Sequence, residues 1–290
     1  MAITVATAPD SWGVWYADDP RQVGYRRYLA EVQAAGYSHT ETGPYGYLPT
    51  DPHQLADELA AHDLALCGSA LVHTLTTAAG LQSLIPRIHQ TCALLVAMGS
   101  DHVVLMDDSD RVEQNMPRAL DMASWDQLIA STLAVARVVA GDYGLKLLFH
   151  PHVGTGIETE TEVERLLDDT PGDLVGLCFD FGHHAYTGAD ALAFMRKHHA
   201  RIPYYHFKNV DPDLLNRINA EKIDFIKGFQ MGVMCELDKG VVDFTQVVAF
   251  LRQIGYDGYA VVEQDMYPCP PDKPFPIARH NRTVLARLGL

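Results

Sequence analysis

The feature that most limits what this chain can fold into is a rhythm of short β-rich runs alternating with longer amphipathic stretches. Eight β-like runs are legible: Ile3–Thr7, Ser38–Thr42, Leu66–Val72, His102–Met106, Leu145–Phe149, Val175–Phe179, Ile202–Phe207 and Gly258–Val262. Most are continuously apolar rather than alternating, the signature of parallel strands covered on both faces. Between them lie helix-length stretches, among them Tyr25–Ala35, Asp51–His62, Leu81–Met98, Trp125–Ala140, Glu160–Leu167, Asp190–His198 and Phe244–Ile254. Gly36, Gly99 and Gly255 follow three of them as C-terminal stops. Such alternation builds right-handed βαβ units. Eight units in 290 residues is the size of one (β/α)8 barrel. The expectation is therefore an α/β fold, a single TIM barrel spanning residues 1–290, with an open doubly wound sheet as the alternative. No glycine-rich phosphate loop opens a helix after any strand, so nucleotide binding has no support.

Composition narrows the function. Net charge is −15, from 37 acids against 22 bases. Nucleic acids and anionic membranes are bound through clustered Lys and Arg, and this chain has no basic run beyond paired residues. Neither partner is expected. Five scattered cysteines without CxxC spacing suggest a reducing, cytoplasmic setting, and the first residues read as no signal peptide. No 18-residue apolar run is present, so no membrane span is expected.

Polar residues gather where the last four β runs end. His150, His152 and Glu158 follow the fifth; Asp180, His183 and His184 follow the sixth. His206, Lys208 and Asn209 close the seventh; Glu263 and Asp265 close the eighth. In a barrel these ends share one rim, where active sites lie. Imidazoles and carboxylates converging there suit a divalent cation of mixed N/O preference, Mn²⁺, Co²⁺, Fe²⁺ or Zn²⁺, better than Mg²⁺ or Ca²⁺. Taken singly, each residue has a plainer reading. An Asp after a strand commonly caps a helix, as Asp265 would, and His184 would be a core histidine. Glu41 in TETGPYGY reads as a solvated acid or a pocket wall. His73, and the DDSD stretch at 107–110, follow the third and fourth runs. Trp12, with Trp15 and Tyr16, would stack on a sugar ring or pack beneath a loop. Long connections at Asp107–Ser124 and Asn209–Asp243 follow strands, the second with an extra helix over Leu214–Phe225.

The segments FHPHVGTGIETETEVERLL, VGLCFDFGHHAYTGAD, YYHFKNV and GYDGYAVVEQD resemble the xylose isomerase-like barrel superfamily, and within it the inosose (2-keto-myo-inositol) dehydratases. HxHxGTGxxT is the more specific signal for that branch. The resemblance implies a metal held by Asp180, His206 and Glu263, with His150 standing where a Glu is usual and His152 or Glu158 as substitutes. It also implies a dimer or tetramer. The implied activity is a dehydratase of inositol and carbohydrate metabolism acting on a small polyol, keto-sugar or keto-cyclitol. It would abstract an α-proton and expel a β-hydroxyl through a metal-stabilised enediolate. The base would be His152 or Glu158 and the acid His183 or Lys208. Glu41 ranks lower in either role, and Trp12, Glu41 and His73 are candidates for substrate contact. The same enediolate, reprotonated, gives an isomerase or 3-epimerase instead. An apurinic-site endonuclease would want a basic face, and a non-catalytic sugar-binding barrel would bind no metal.

Overall fold

Strands whose side chains point alternately to two faces can close into a barrel with one face turned into a shared lumen. That is the architecture of the computed structural model, which describes residues 3–108 and 119–290. Eight parallel strands form the closed ring: β1 (Ile3–Thr7), β2 (His39–Glu41), β3 (Ala65–His73), β4 (His102–Asp107), β5 (Lys146–Phe149), β6 (Val175–Asp180), β7 (Tyr204–Phe207) and β10 (Gly258–Val262). The closing seam pairs β1 with β10, Ile3 opposite Gly258 through Thr7 opposite Val262. Every β run expected from the sequence is a barrel strand, with ends moved by two residues at most.

Helices cover the outside: α1 (Tyr25–Ala35), α2 (Pro52–Ala60), α3 (Ala78–Met98), α4 (Met122–Tyr143), α5 (Glu160–Asp169), α7 (Ala191–His198), α10 (Phe244–Gln253) and α11 (Pro274–Arg287). Gly36, Gly99 and Gly144 end three of them in the left-handed conformation. Three details differ from expectation. The extra helix after the seventh strand is two helices, α8 (Pro212–Glu221) and α9 (Phe225–Gln230), because Lys222 turns left-handed and Asp224 caps anew. A two-stranded ribbon of β8 (Asn209–Val210) and β9 (Met234–Cys235) clips this excursion to the barrel. A short helix, α6 (Phe181–Tyr186), starts directly on the last residue of β6.

The middle of the lumen is packed with small and apolar groups, among them Ala6, Cys67, Val104, Leu148, Cys178 and Val261. The chain of the last four barrel strands then runs on for two residues and presents a polar group at the same height. Leu148 leads to His150, Cys178 to Asp180, Tyr204 to His206, and Val261 to Glu263. Register sets them side by side: Asp180 is opposite His206, and the Glu263 N–H donates to the Phe207 carbonyl next along β7. The barrel thus has an apolar plug below and a polar floor above it.

Candidate active site

Lys208 lies two residues beyond His206 on the inward face, and its ammonium stands at the centre of the polar floor. It is 3.0 Å from Asp180 Oδ2, 3.1 Å from Glu263 Oε2 and 3.0 Å from Asp265 Oδ2. It also donates to His183 Nε2 at 2.9 Å. Lys208 is 1% exposed. Burial alone would lower its pKa, but Asp180, Asp265 and Glu263 overcome that and hold it well above the ordinary lysine value. Asp180 plays two parts. Its Oδ1 accepts from the His183 N–H at 2.9 Å and starts α6, while its Oδ2 faces Lys208. Capping and site chemistry are thus not alternatives for this residue. Asp265 is no helix cap; it is buried and paired with Lys208.

His206 is gripped from two sides. Its Nε2 lies 3.0 Å from Glu41 Oε1, and its Nδ1 is 2.9 Å from Glu263 Oε2. Burial opposes a charged ring, yet Cys178, Glu263 and Glu41 raise its pKa well above the usual histidine range. Glu263 is correspondingly held well below the usual carboxylate range: burial resists, and His206 and Lys208 prevail. The other three imidazoles go the opposite way. Burial, with the charge of His206 next in weight, lowers His150 to about 3. Burial and His150 lower His152 to about 4. Burial and His152 drive His183 well below the usual value. His152 and His183 lie with ring centroids 3.8 Å apart, and His150 is 4.9 Å from His206. A roof closes over them: Phe225 of α9 meets His152 at 5.7 Å, Phe229 faces His183 at 6.3 Å, and Trp15 stacks on Tyr267.

The structure therefore brings together His150, His152, Asp180, His183, His206, Lys208 and Glu263, as the strand-end reading required. Glu41 joins them; it is 3% exposed, so it is not a solvated acid. Glu158 is buried nearby but accepts from the Gly154 N–H at 3.1 Å within its own loop. Trp12 and His73 are placed elsewhere. Trp12 is buried against Tyr28, and its indole N–H donates to Glu31 of α1. His73 turns outward, with one ring nitrogen accepting from the Thr74 N–H and the other 2.9 Å from the Ser83 hydroxyl on α3. Neither contacts the imidazole cluster. Asn209 is structural: its side chain bonds Leu237, Val242 and Val210 backbone groups. His184 is a core residue against Phe179 and Phe194, bonded to Glu160. Of the DDSD stretch, Asp107 is buried and accepts from the Leu75 N–H, whereas Ser109 and Asp110 lie outside the described residues. All five cysteines are free. Among the described residues, no helix is long and apolar enough to cross a membrane.

Two residues escaped the sequence reading. Asp10 is part-buried, and burial followed by Glu263 and Asp265 raises its carboxyl pKa well above the usual range. The alternation Ala6, Ala8, Asp10 was the available signal. Tyr204, fully buried in the lumen, donates to Glu41 Oε1 at 2.9 Å. Only its two-residue offset from His206 could have flagged it.

A family profile described as "Xylose isomerase-like TIM barrel" matches residues 29–287. The chain belongs to the xylose isomerase-like TIM barrel family. An inosose dehydratase of Bacillus velezensis is 30% identical over 272 residues, covering 89% of each chain. One of Salmonella typhimurium is 31% identical over 265 residues, covering 88% of this chain and 87% of that one. Among solved structures of similar fold is the IOLI protein with a bound zinc atom, with TM-score 0.69, 16% identity, and coverage of 99% of this chain and 96% of that one.

The donor set of this xylose isomerase-like barrel fits a divalent cation. Three overlapping trios hold ligand atoms within 4.8 Å of one another: His150, Cys178 and His206; His150, His152 and His183; Glu41, His206 and Glu263. Asp180 Oδ2 and His206 Nδ1 are buried and lack a hydrogen bond despite close neighbours, so their contacts are not directed along hydrogen-bond axes. The carboxylates there outnumber the lysine, so a further positive charge is electrostatically favoured.

Two predictions follow from these charges. Lys208→Met leaves three carboxylates without their buried counter-charge, a change of about 3–5 kcal/mol. Urea unfolding at pH 7 should show that loss in the metal-free protein, and added Mn²⁺ should recover part of it by binding the folded state. Equal stability would contradict the charge balance. His150 and His152 are neutral in the fold down to about 3 and 4, against 6.5 ordinarily. Between these limits the unfolded chain binds more protons, so stability is intact above pH 6.5 and falls as pH drops toward 3–4. Each ring contributes up to ~1.4 kcal/mol per pH unit in that window. His150→Asn should flatten the slope, measured by chemical denaturation from pH 7 to 4.5; an unchanged slope would refute the neutral buried ring.

Proposed function

We propose that this protein is a divalent-metal-dependent hydro-lyase that removes water from a small keto-cyclitol or keto-sugar. The observation that supports it most is the clustering of three residues around buried His206, beside two neutral imidazoles and a charged lysine: His150 at 4.9 Å between ring centroids, and Asp180 and Glu263 at 3.9 and 2.9 Å from Nδ1. The named activity of the 30–31% identical relatives points the same way. His150, Asp180, His206 and Glu263 would hold the cation, whose chemistry there is Lewis-acid stabilisation of negative charge developing beside a keto group.

The remaining work falls to the chain itself. His152 Nδ1 lies 2.8 Å from the Val153 carbonyl, so that nitrogen carries the proton and Nε2 keeps its lone pair. Nε2 is the base for the proton next to the carbonyl. Glu158 is the weaker candidate because it already accepts from its own loop. His183 has the complementary form. Its Nε2 accepts from Lys208, so Nδ1 carries the hydrogen, and Nδ1 is buried without a partner. It donates to the departing hydroxyl, and Lys208 restores the proton from behind. Two adjacent imidazoles, tilted 47° to each other, would reach one face of a ring, the arrangement of a syn elimination. Phe225 and Phe229 exclude water above them and offer an apolar wall to ring carbons. An epimerase would need a second acid on the opposite face. Glu41, the candidate there, already accepts from both Tyr204 and His206, which favours the lyase.

Metal content provides the first test. Asp180→Ala and Glu263→Ala should each lose bound metal in elemental analysis, and EDTA should abolish turnover that Mn²⁺ or Co²⁺ restores. Full metal retention in both variants would refute the ligand assignment. The reaction type is read in D₂O with keto-inositols and ketoses. An enone or dione chromophore marks elimination; deuterium at one carbon without loss of water would mark epimerisation and overturn the lyase.

A further inference from the structure

We infer that Tyr204 and Glu41 form a positioning relay that fixes the ring orientation of His206 and thereby the affinity of the site for its cation. The inference rests on the metal-centre reading above. Its basis is a chain of buried contacts crossing the lumen. Tyr204 leaves β7 one layer below His206, and its hydroxyl reaches Glu41 Oε1 on β2 at 2.9 Å. Cys67 Sγ on β3 lies 3.3 Å from the same phenol oxygen. The same Glu41 oxygen lies 3.0 Å from His206 Nε2. All four side chains are at most 3% exposed.

A phenol hydroxyl has one proton, and a carboxylate is a stronger acceptor than a thiol, so Tyr204 donates to Glu41. That bond holds Glu41 Oε1 beneath His206. Glu41 in turn takes the Nε2–H, which leaves Nδ1 as the nitrogen turned toward Glu263 and Asp180, 2.9 and 3.9 Å away. A ring rotated about its axis would point a C–H at those carboxylates instead. Glu41 thus touches neither Asp180 nor Lys208 among the observed ion pairs, and acts through the imidazole. Carboxylates behind a ligating histidine carry 10–100-fold of metal affinity in general. Here the carboxylate is itself pinned by a tyrosine from the layer below, so the relay extends one layer further into the apolar plug. Tyr205, its neighbour in sequence, points the other way and leaves Tyr204 as the inward-facing phenol at this position.

The test measures Zn²⁺ binding to the metal-free full chain by competition with a chromogenic chelator. Glu41→Ala should weaken binding about 10–100-fold and Tyr204→Phe about tenfold. Glu41→Gln should recover most of the loss in Glu41→Ala, because its amide oxygen still accepts from Nε2–H. Nitrogen-15 spectra of the Zn²⁺-loaded protein should show His206 protonated at Nε2, with that single pattern replaced by a mixture in Tyr204→Phe. A general packing defect would not change the ring's protonated nitrogen. His206→Ala separates the two claims. If it loses Zn²⁺ while Tyr204→Phe and Glu41→Ala keep wild-type affinity and the same nitrogen pattern, the relay is overturned alone. If His206→Ala binds Zn²⁺ like wild type, the metal reading falls and the relay with it.

Discussion

Three buried carboxylate groups within 3.1 Å of the Lys208 ammonium set the conditions for everything else at the open end of the barrel. Charges removed from water cost several kcal/mol each unless they are matched in the same dry space. Asp180, Glu263 and Asp265 are tolerable there because Lys208 reaches them all from one strand. His206 has close carboxylates of its own, whereas those nearest His183, Asp180 at 3.7 Å and Asp265 at 3.8 Å, sit closer to Lys208. Hence one ring is held charged and three are held neutral, within a cluster whose adjacent centroids lie 3.8 to 5.8 Å apart.

That division is what the proposed chemistry uses. A neutral imidazole with a free nitrogen can accept a proton, and one whose far nitrogen is held by an ammonium can give one. The two forms stand side by side because the loop after β5 and helix α6 deliver them to the same corner. Beneath them, the apolar middle of the barrel keeps water from reaching the carboxylates from below, and the α9 aromatics do so from above. The fold supplies dryness, and the dryness supplies the spread of proton affinities.

Asp180 shows how closely fold and site are joined. Strand β6 ends on it, helix α6 begins on it, and one oxygen does each job. The plain reading of a strand-end Asp as a cap holds for Oδ1, while Oδ2 faces the charged cluster and is the atom the proposed metal would use. Asp265, by contrast, looked like a cap and is not one, since no helix starts there until Pro274.

The sequence alone determined the barrel, because buried parallel strands and amphipathic helices leave local periodicities that no partner is needed to read. It also determined at which strand ends the polar residues gather, since a two-residue step from a lumen position to a polar residue is written in each of the last four barrel strands. Only the tertiary structure decided which polar residues belong. Trp12 and His73 sit beside strand ends, yet one packs under α1 and the other turns out to α3, because a residue or two of phase chooses the face. Glu41 and Tyr204 come from β2 and β7 and Asp10 from the turn after β1, far apart in the chain, so their meeting is a product of closure. Proton affinity was likewise beyond the sequence, because it depends on burial and on charges that only the closed barrel brings within reach.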